Sequence, residues 1–308
     1  MRALVTGASG FIGSHVVTAM TAAGASVRGF DAREPASLAA TAEFARGDIL
    51  DPDALRRALA DCDAVIHVAA IYSYRRADAA AMERVNVEGT RAVLEAAGSR
   101  RIVHTSSCAT CGPVRGRAAT EEDEPAVWEL RVPYKRTKLA GERLALAAGA
   151  VVVNPTTPVG PGDVRPTPTG KMVADVAAGR ARGYLAGGAL NIVAVEDVAR
   201  GHALALEHGR AGRRYLLGGE NLAMRDVFAA ICSAAGRPAP RLAVPWHAAY
   251  AAAWVAGRLR HEPSLLVLDE VRVARRPMCF DDSRARRELG YSSEPAASAL
   301  ARAARAVL

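Results

Sequence analysis

The chain of 308 residues is poor in lysine, poor in aromatic side chains and without long apolar runs. Of its 40 basic residues only Lys135, Lys138 and Lys171 are lysines. Arginine serves nearly everywhere else, so the few lysines are expected where a compact, titratable ammonium matters. Two of the three flank Tyr134. No apolar run approaches the roughly 20 residues that a membrane-crossing helix needs, so no transmembrane segment is expected. The net charge is +8, yet no Lys/Arg run exceeds three residues and no nucleic-acid-binding motif occurs, which argues against a nucleic-acid partner. Five cysteines and no signal peptide predict a reducing, cytoplasmic setting. The first residues already read as a strand, which predicts that no targeting segment precedes the fold. His104 stands near a Cys108-x-x-Cys111 pair, but no second pair of ligands accompanies it, so no metal is expected. No internal repeat is present.

What is present begins with "VTGASGFIGS" (5–14). Gly7, Gly10 and Gly13 lie between the apolar run 2–5 and a segment in which Phe11, Ile12, Val16, Val17 and Met20 fall at helical spacing. A glycine-rich turn from strand to helix is where a dinucleotide pyrophosphate rests on a helix N-terminus, and a Cβ there would hold the phosphate off. Further strand-like runs occur near 26–31, 43–46, 64–68, 101–106, 150–154 and 192–195, with helical runs at 52–60, 79–97, 134–148 and 196–208. Asp51 before Pro52 reads as a helix cap. The alternation predicts an α/β fold, a doubly wound parallel sheet with right-handed crossovers. After about 157 it loosens, and Pro and Gly cluster. The expected division is a dinucleotide-binding domain over 1–164, rejoined by 189–217, and a smaller, mostly helical substrate lobe over 165–188 and 218–308.

The second strand ends in Asp31, 18 residues after Gly13. A carboxylate there accepts from both adenosine ribose hydroxyls and repels a 2′-phosphate, which predicts NAD; Arg33 nearby keeps NADP as the alternative. Asp48 follows the third strand and is placed to meet the adenine amine. Tyr134 and Lys138 stand four residues apart, on one face of a helix. Bringing a tyrosine pKa from about 10 to about 7 takes roughly 4 kcal/mol of preference for the phenolate, which a neighbouring ammonium and an oxidised nicotinamide can supply. Ser107, at the end of strand 101–106, can hold the same substrate oxygen. The order glycine loop, Ser, Y-x-x-x-K is far more specific than any one part.

With "GDILD" (47–51), "HVAA" (67–70), "NVEGT" (86–90), "TSSCATCG" (105–112), "YKRTK" (134–138), "NPTTPVGPGD" (154–163) and "VAVEDVARGH" (193–202), the chain resembles the extended short-chain dehydrogenases/reductases, the NAD-dependent epimerase/dehydratase family. It looks most like the dihydroflavonol-reductase-like subgroup that includes hopanoid-associated sugar epimerases. The resemblance implies Ser107, Tyr134 and Lys138 as the catalytic set. It also implies cofactor contacts at Gly7, Gly10, Phe11, Ile12, Gly13, Asp31, Asp48, Ile49, Ala69, Asn154 and Pro155 as well as Tyr134 and Lys138. Substrate contacts are implied at Ser107, Asn86 and Thr156, and a homodimer through the helices near 79–97 and 134–148. Departures matter too. Asp31-Ala32 replaces the apolar-Arg pair common in the subgroup, which favours NAD. Leu190-Asn191-Ile192 stands where nucleotide-sugar epimerases carry Arg-Asp-Phe, whose Arg meets the diphosphate. Cys108 and Ala109 replace the Asp-Glu of sugar dehydratases. The expected activity is therefore NAD(P)-dependent hydride transfer at a secondary alcohol or ketone of a small molecule (a sugar, polyol or ketone). The alternatives are a sugar or nucleotide-sugar epimerase with recycled NAD, and a non-catalytic dinucleotide sensor. Trp246, Tyr250 and Trp254 form an i, i+4, i+8 stripe that fits a core or interface, an apolar substrate pocket, or peripheral contact with a membrane.

Overall fold

The computed structural model describes residues 1–35, 39, 42–259 and 267–308. β1 (Arg2–Thr6) leads into α1 (Phe11–Ala22), then β2 (Ser26–Asp31), β3 (Glu43–Arg46), α2 (Pro52–Leu59) and β4 (Ala64–His67). One helical run follows, α3 (Ala79–Glu83) and α4 (Thr90–Ala97) joined through a π-type turn, Arg84–Gly89. Next come β5 (Arg101–Thr105), α5 (Pro133–Ala147), β6 (Val151–Pro155), β7 (Thr157–Val159), α6 (Pro168–Ala177), β8 (Gly183–Leu185), β9 (Ala189–Ala194), α7 (Val195–His208) and β10 (Arg214–Leu217). The chain continues with β11 (Glu220–Ala223), α8 (Met224–Ala234), β12 (Leu242–Val244), α9 (Trp246–Leu259), α10 (Leu268–Val273), α11 (Ser283–Leu289) and α12 (Ala296–Ala306).

Seven strands form one parallel sheet in the order β10-β6-β5-β4-β1-β2-β3. Its central strands are near-continuous apolar runs because helices cover both faces. Val5, Val103 and Val153 pack with Val16 and Val17 of α1 on one side, while Leu4, Val65 and Val152 pack with Leu55 of α2 and Val93 of α4 on the other. Asp51 caps α2, accepting from the amides of Asp53 (2.9 Å) and Ala54 (3.1 Å), with Pro52 at the first helical position. The strand order reverses between β1 and β4, the crevice where such sheets bind ligands.

The lobes divide differently from the expectation. Of 189–217, α7 and β10 do return to the main sheet, but β9 instead pairs with β7 and β11. Pro155 ends β6 opposite Leu217 and Pro158 lies inside β7 opposite Val193, so the chain passes from the main sheet to a second one within 1–164. A further pair, β12 with β8, adds a short parallel sheet to the second lobe, which is otherwise made of the helices α6, α8, α9, α10 and α12. In the opposite sense α11 belongs to the first lobe, because Ala285, Leu289 and Tyr291 share the core of Val5 and Val153.

Candidate active site

A cavity of about 600 Å³ runs along the C-terminal ends of β1, β2, β4, β5 and β6. The glycine loop forms one end. Gly7 has φ +71, and a Cβ on it would lie 2.6 Å from the Ala69 amide nitrogen. A Cβ on Gly13 would lie 2.0 Å from the Gly7 carbonyl oxygen. These two glycines are therefore demanded by the protein's own backbone. Gly10, with φ −85 and only the Gly7 oxygen at 3.1 Å, is the one whose missing side chain leaves room for a ligand. No side chain caps α1, so the amides of its first turn are open to an anion. Phe11, Ile12, Ile49 and Ala69 also line this end.

Asp31 closes the same end. One of its oxygens accepts from the Ser9 amide (3.2 Å) and the other from the Arg33 amide (3.1 Å), so the carboxylate braces the glycine loop as well as facing the cavity. Asp48 lines the wall and accepts from the Leu50 amide (3.0 Å). The loop and its acid fit a dinucleotide: an uncapped helix end for the pyrophosphate, and a carboxylate for ribose hydroxyls.

Ser107, Tyr134 and Lys138 meet at the centre, all lining the cavity and all buried. Ser107 sits where β5 ends and its hydroxyl accepts from the Ala109 amide (3.2 Å). Tyr134 and Lys138 lie in the first two turns of α5, which Pro133 starts. The Lys138 ammonium donates to the Thr105 carbonyl (2.7 Å), and burial lowers its pKa to about 8, with Glu142 pulling the other way. Burial, followed by the neighbouring Tyr72, holds the Tyr134 phenol above its ordinary pKa, and the Ser107 hydroxyl offsets part of this. Burial thus dominates here, and the phenol is kept protonated, the form that donates to a ketone oxygen.

Two expected contacts lie behind the wall. Asn154 is fully buried, its amide nitrogen within reach of the Ser107 carbonyl (3.1 Å), the Thr110 hydroxyl (2.9 Å) and a Glu142 carboxylate oxygen (2.6 Å). It ties the Ser107 turn to α5 and does not line the cavity; Pro155 and Thr156, beside it, do. Asn86 is also buried away from the cavity. It accepts from the Ile71 amide (2.8 Å) and donates to the Ile71 carbonyl (3.0 Å) and the Thr137 hydroxyl (3.1 Å), joining the cavity-lining segment 69–74 to α5. Both its amide protons and one carbonyl lone pair are used within the protein.

The lysines beside Tyr134 have different roles. Lys135 is a quarter-turn away and points into the protein, where it pairs with Glu129. Cys108 and Cys111 are buried thiols, Cys108 pushed up by burial to about 12. Among the described residues no cluster of three metal-ligating side chains occurs.

Apart from Leu190, the far end of the cavity is built from residues that carry no joint signal in the sequence. Tyr72 lies against Tyr134 (4.5 Å between ring centroids) and Tyr74 meets Tyr134 edge-on (5.9 Å). Met172, Leu190, Met224 and Met278 complete an apolar wall, with one carboxyl, Glu270, that burial raises to about 7 against a smaller pull from Lys171. The Y-x-Y spacing of 72–74 was the only local signal. The methionines and Glu270 come from distant segments.

A model of the NAD dependent epimerase/dehydratase family matches residues 3–218. The chain belongs to that family. It is 32% identical over 312 residues to the 4-hydroxy-2-methyl-3-oxo-4-farnesyl-3,4-dihydroquinoline-1-oxide ketoreductase of Stigmatella aurantiaca, covering 95% of this chain and 92% of that protein. The solved structure of gox2253 superposes with a TM-score of 0.84 at 37% identity, covering 99% of this chain and 97% of that one. The UDP-glucose 4-epimerase of Thermus thermophilus, solved with NAD, gives a TM-score of 0.79 at 25% identity, covering 100% and 99%. The family is one of NAD-dependent enzymes, and the chain's fold, with its seven-stranded parallel sheet, matches that of the epimerase structure.

Proposed function

We propose that the chain is an NAD-dependent dehydrogenase/reductase that acts at a secondary alcohol or ketone of a largely apolar substrate. One observation carries this reading. Among the described residues, the cavity lining has two cationic side chains, Lys138 at the centre and Arg33 at the cofactor end. The substrate end has Leu190, Met172, Met224 and Met278 and nothing that would neutralise a diphosphate. A nucleotide sugar would leave its phosphates there without a partner. The ketoreductase similarity above, whose named substrate carries a farnesyl chain, supports the same choice.

In this reading NAD supplies or accepts the hydride when bound. Ser107 and Tyr134 hold the substrate oxygen; Tyr134 gives its proton to that oxygen in reduction and takes it back in oxidation. Lys138 would hold the nicotinamide ribose, and its positive charge would favour the phenolate in the oxidative direction. Asn86, Asn154 and Glu142 keep the segments carrying these groups in register.

The test is cofactor accounting. Purified protein with NADH is offered apolar ketones, polyols and nucleotide sugars, and absorbance is followed at 340 nm. Oxidation of NADH one for one with an apolar alcohol product is expected, and Tyr134→Phe should lower turnover by about 10²–10⁴-fold while cofactor still binds. Conversion of a nucleotide sugar to its stereoisomer with no net change in NADH would overturn the proposal in favour of epimerisation.

A further inference from the structure

Helix α9 is apolar on both sides, yet within residues 246–258 only Ala253 is buried. Its inward side carries Trp246 and Tyr250, stacked on each other at 5.0 Å, with the Trp246 indole donating to the Val271 carbonyl (2.8 Å). Its outward side carries Ala248, Ala251, Ala252 and Val255, at i, i+3, i+4 and i+7, with Trp254 at the margin; all five are exposed. Trp254 is 43% and Val255 45% accessible. An apolar stripe at this spacing normally faces a core. Here it faces outward, and of the three-aromatic stripe only Trp246 and Tyr250 are folded in.

The sequence around α9 is basic: from Val227 to Arg258 it contains no acidic residue and three arginines, at 237, 241 and 258. The Arg258 guanidinium lies 3.9 Å from the centre of the Trp254 ring. Beneath α9 a second cavity of about 370 Å³ is lined by Arg76, Arg131, Arg272 and Arg275, together with Trp128 and Trp246. Its single carboxylate, Asp269, is 2% exposed and already paired with Arg76 (3.0 Å) and Arg272 (2.5 Å). Among the described residues Arg131 and Arg275 have no ion-pair partner.

We infer that α9 docks the protein on an anionic lipid surface, with the Ala248–Val255 face and Trp254 in the interfacial layer and the arginines of the adjoining cavity on lipid phosphates. Tryptophan and small apolar residues suit the headgroup boundary, and arginines beside them add attraction to anionic lipid. Charge decides against a second copy of this chain, because a two-fold contact through this face would set arginines against arginines. The position is also useful. α10 lies between the two cavities, with Arg272 facing the basic one and Glu270 and Val273 facing the catalytic one. Binding to lipid is measured without substrate, so it stands or falls separately from the reductase reading.

The full chain is sedimented with phosphatidylcholine vesicles, and with vesicles in which a third of the lipid is phosphatidylglycerol. Strong binding to the mixed vesicles, weak binding to the neutral ones, and a blue shift of tryptophan emission on binding are expected. A251E/V255E, on the exposed face, should cut binding at least tenfold with circular dichroism and NADH oxidation on a soluble ketone unchanged. R131A/R275A should weaken binding and flatten its salt dependence. Absence of binding to anionic vesicles, equal binding to neutral ones, or wild-type binding by A251E/V255E overturns the inference. So does concentration-dependent self-association abolished by A251E/V255E, which would assign the face to a second copy.

Discussion

Lys135 and Glu129 form an ion pair of 3.1 Å in which neither side chain reaches solvent, and the same ammonium donates to the Gly112 carbonyl (3.1 Å). Removing one member leaves the other charge buried and unpaired, a loss of about 3–5 kcal/mol in comparable pairs. Lys135→Met is therefore expected to lower the melting temperature strongly, while Lys138→Met lowers turnover with a much smaller stability change. Paired thermal melts and assays of the two variants check this; equal stability of both would show that the burial of Lys135 is not what holds the 129–135 corner.

The glycine loop separates fold from ligand. With its Cβ 2.0 Å from the Gly7 oxygen, Gly13→Ala must shift backbone and should destabilise at the upper end of the about 1–3 kcal/mol typical of overpacking. Gly10→Ala meets only a 3.1 Å contact, so its melting temperature should stay near wild type while the NAD dissociation constant rises. Calorimetric titration and melting of both variants distinguish them. A Gly13→Ala protein as stable as wild type would mean that the loop is looser than its packing implies.

Cofactor choice rests on Asp31. The protein should bind NAD(H) more tightly than NADP(H), and Asp31→Ala should narrow or reverse that order. Because the carboxylate also holds the Ser9 and Arg33 amides, the variant should weaken NAD(H) binding outright. A wild-type preference for NADP(H) of tenfold, about 1.4 kcal/mol, would show that Arg33 outweighs the carboxylate.

Acid should unfold this protein through its buried histidines. His67 lies between the Thr6 and Thr90 hydroxyls (2.7 and 3.1 Å), and burial, with Lys138 adding repulsion, lowers its pKa to about 3. Burial lowers His202 to about 4. The unfolded chain takes up a proton on each below about pH 6.5 and the folded chain does not, so stability is fully present above that pH. It falls as pH drops toward 4 by about 1.4 kcal/mol per pH unit for each histidine. Urea midpoints measured from pH 7.5 to 4.5 should decline over this window, and His202→Gln should reduce the slope. A flat profile would contradict the depressed values.

Much of this was legible in the chain. The strand-like runs at 2–5, 64–68 and 150–154 became the parallel strands β1, β4 and β6, and Asp51-Pro52 became a helix cap, because backbone sterics and side-chain periodicity act locally. The nearness of Ser107, Tyr134 and Lys138 also followed, since strand ends in such a sheet converge on one crevice. Asn86 and Asn154 are expected as contacts, and the structure places both behind the wall, bonded to neighbouring segments. Nothing in a sequence position tells whether an amide faces a cavity or a neighbouring carbonyl.

The limits follow the range of the forces. Fold class, the glycine loop, its acid and the Y-x-x-x-K helix are short-range patterns, and the residue order alone carries them. Other properties arise only when distant segments meet. The pairing of β9 with β7 and β11, the apolar wall of Met172, Leu190, Met224 and Met278, and the raised Glu270 each join parts of the chain far apart in sequence. So does the division of labour between the two lysines of α5. Lys138 finds the Thr105 carbonyl and Lys135 finds Glu129, and which ammonium faces the cavity depends on where β5 and the 127–131 turn pack against the helix. Burial and desolvation depend on the whole surrounding shell, so they belong to the folded molecule and not to any stretch of its sequence.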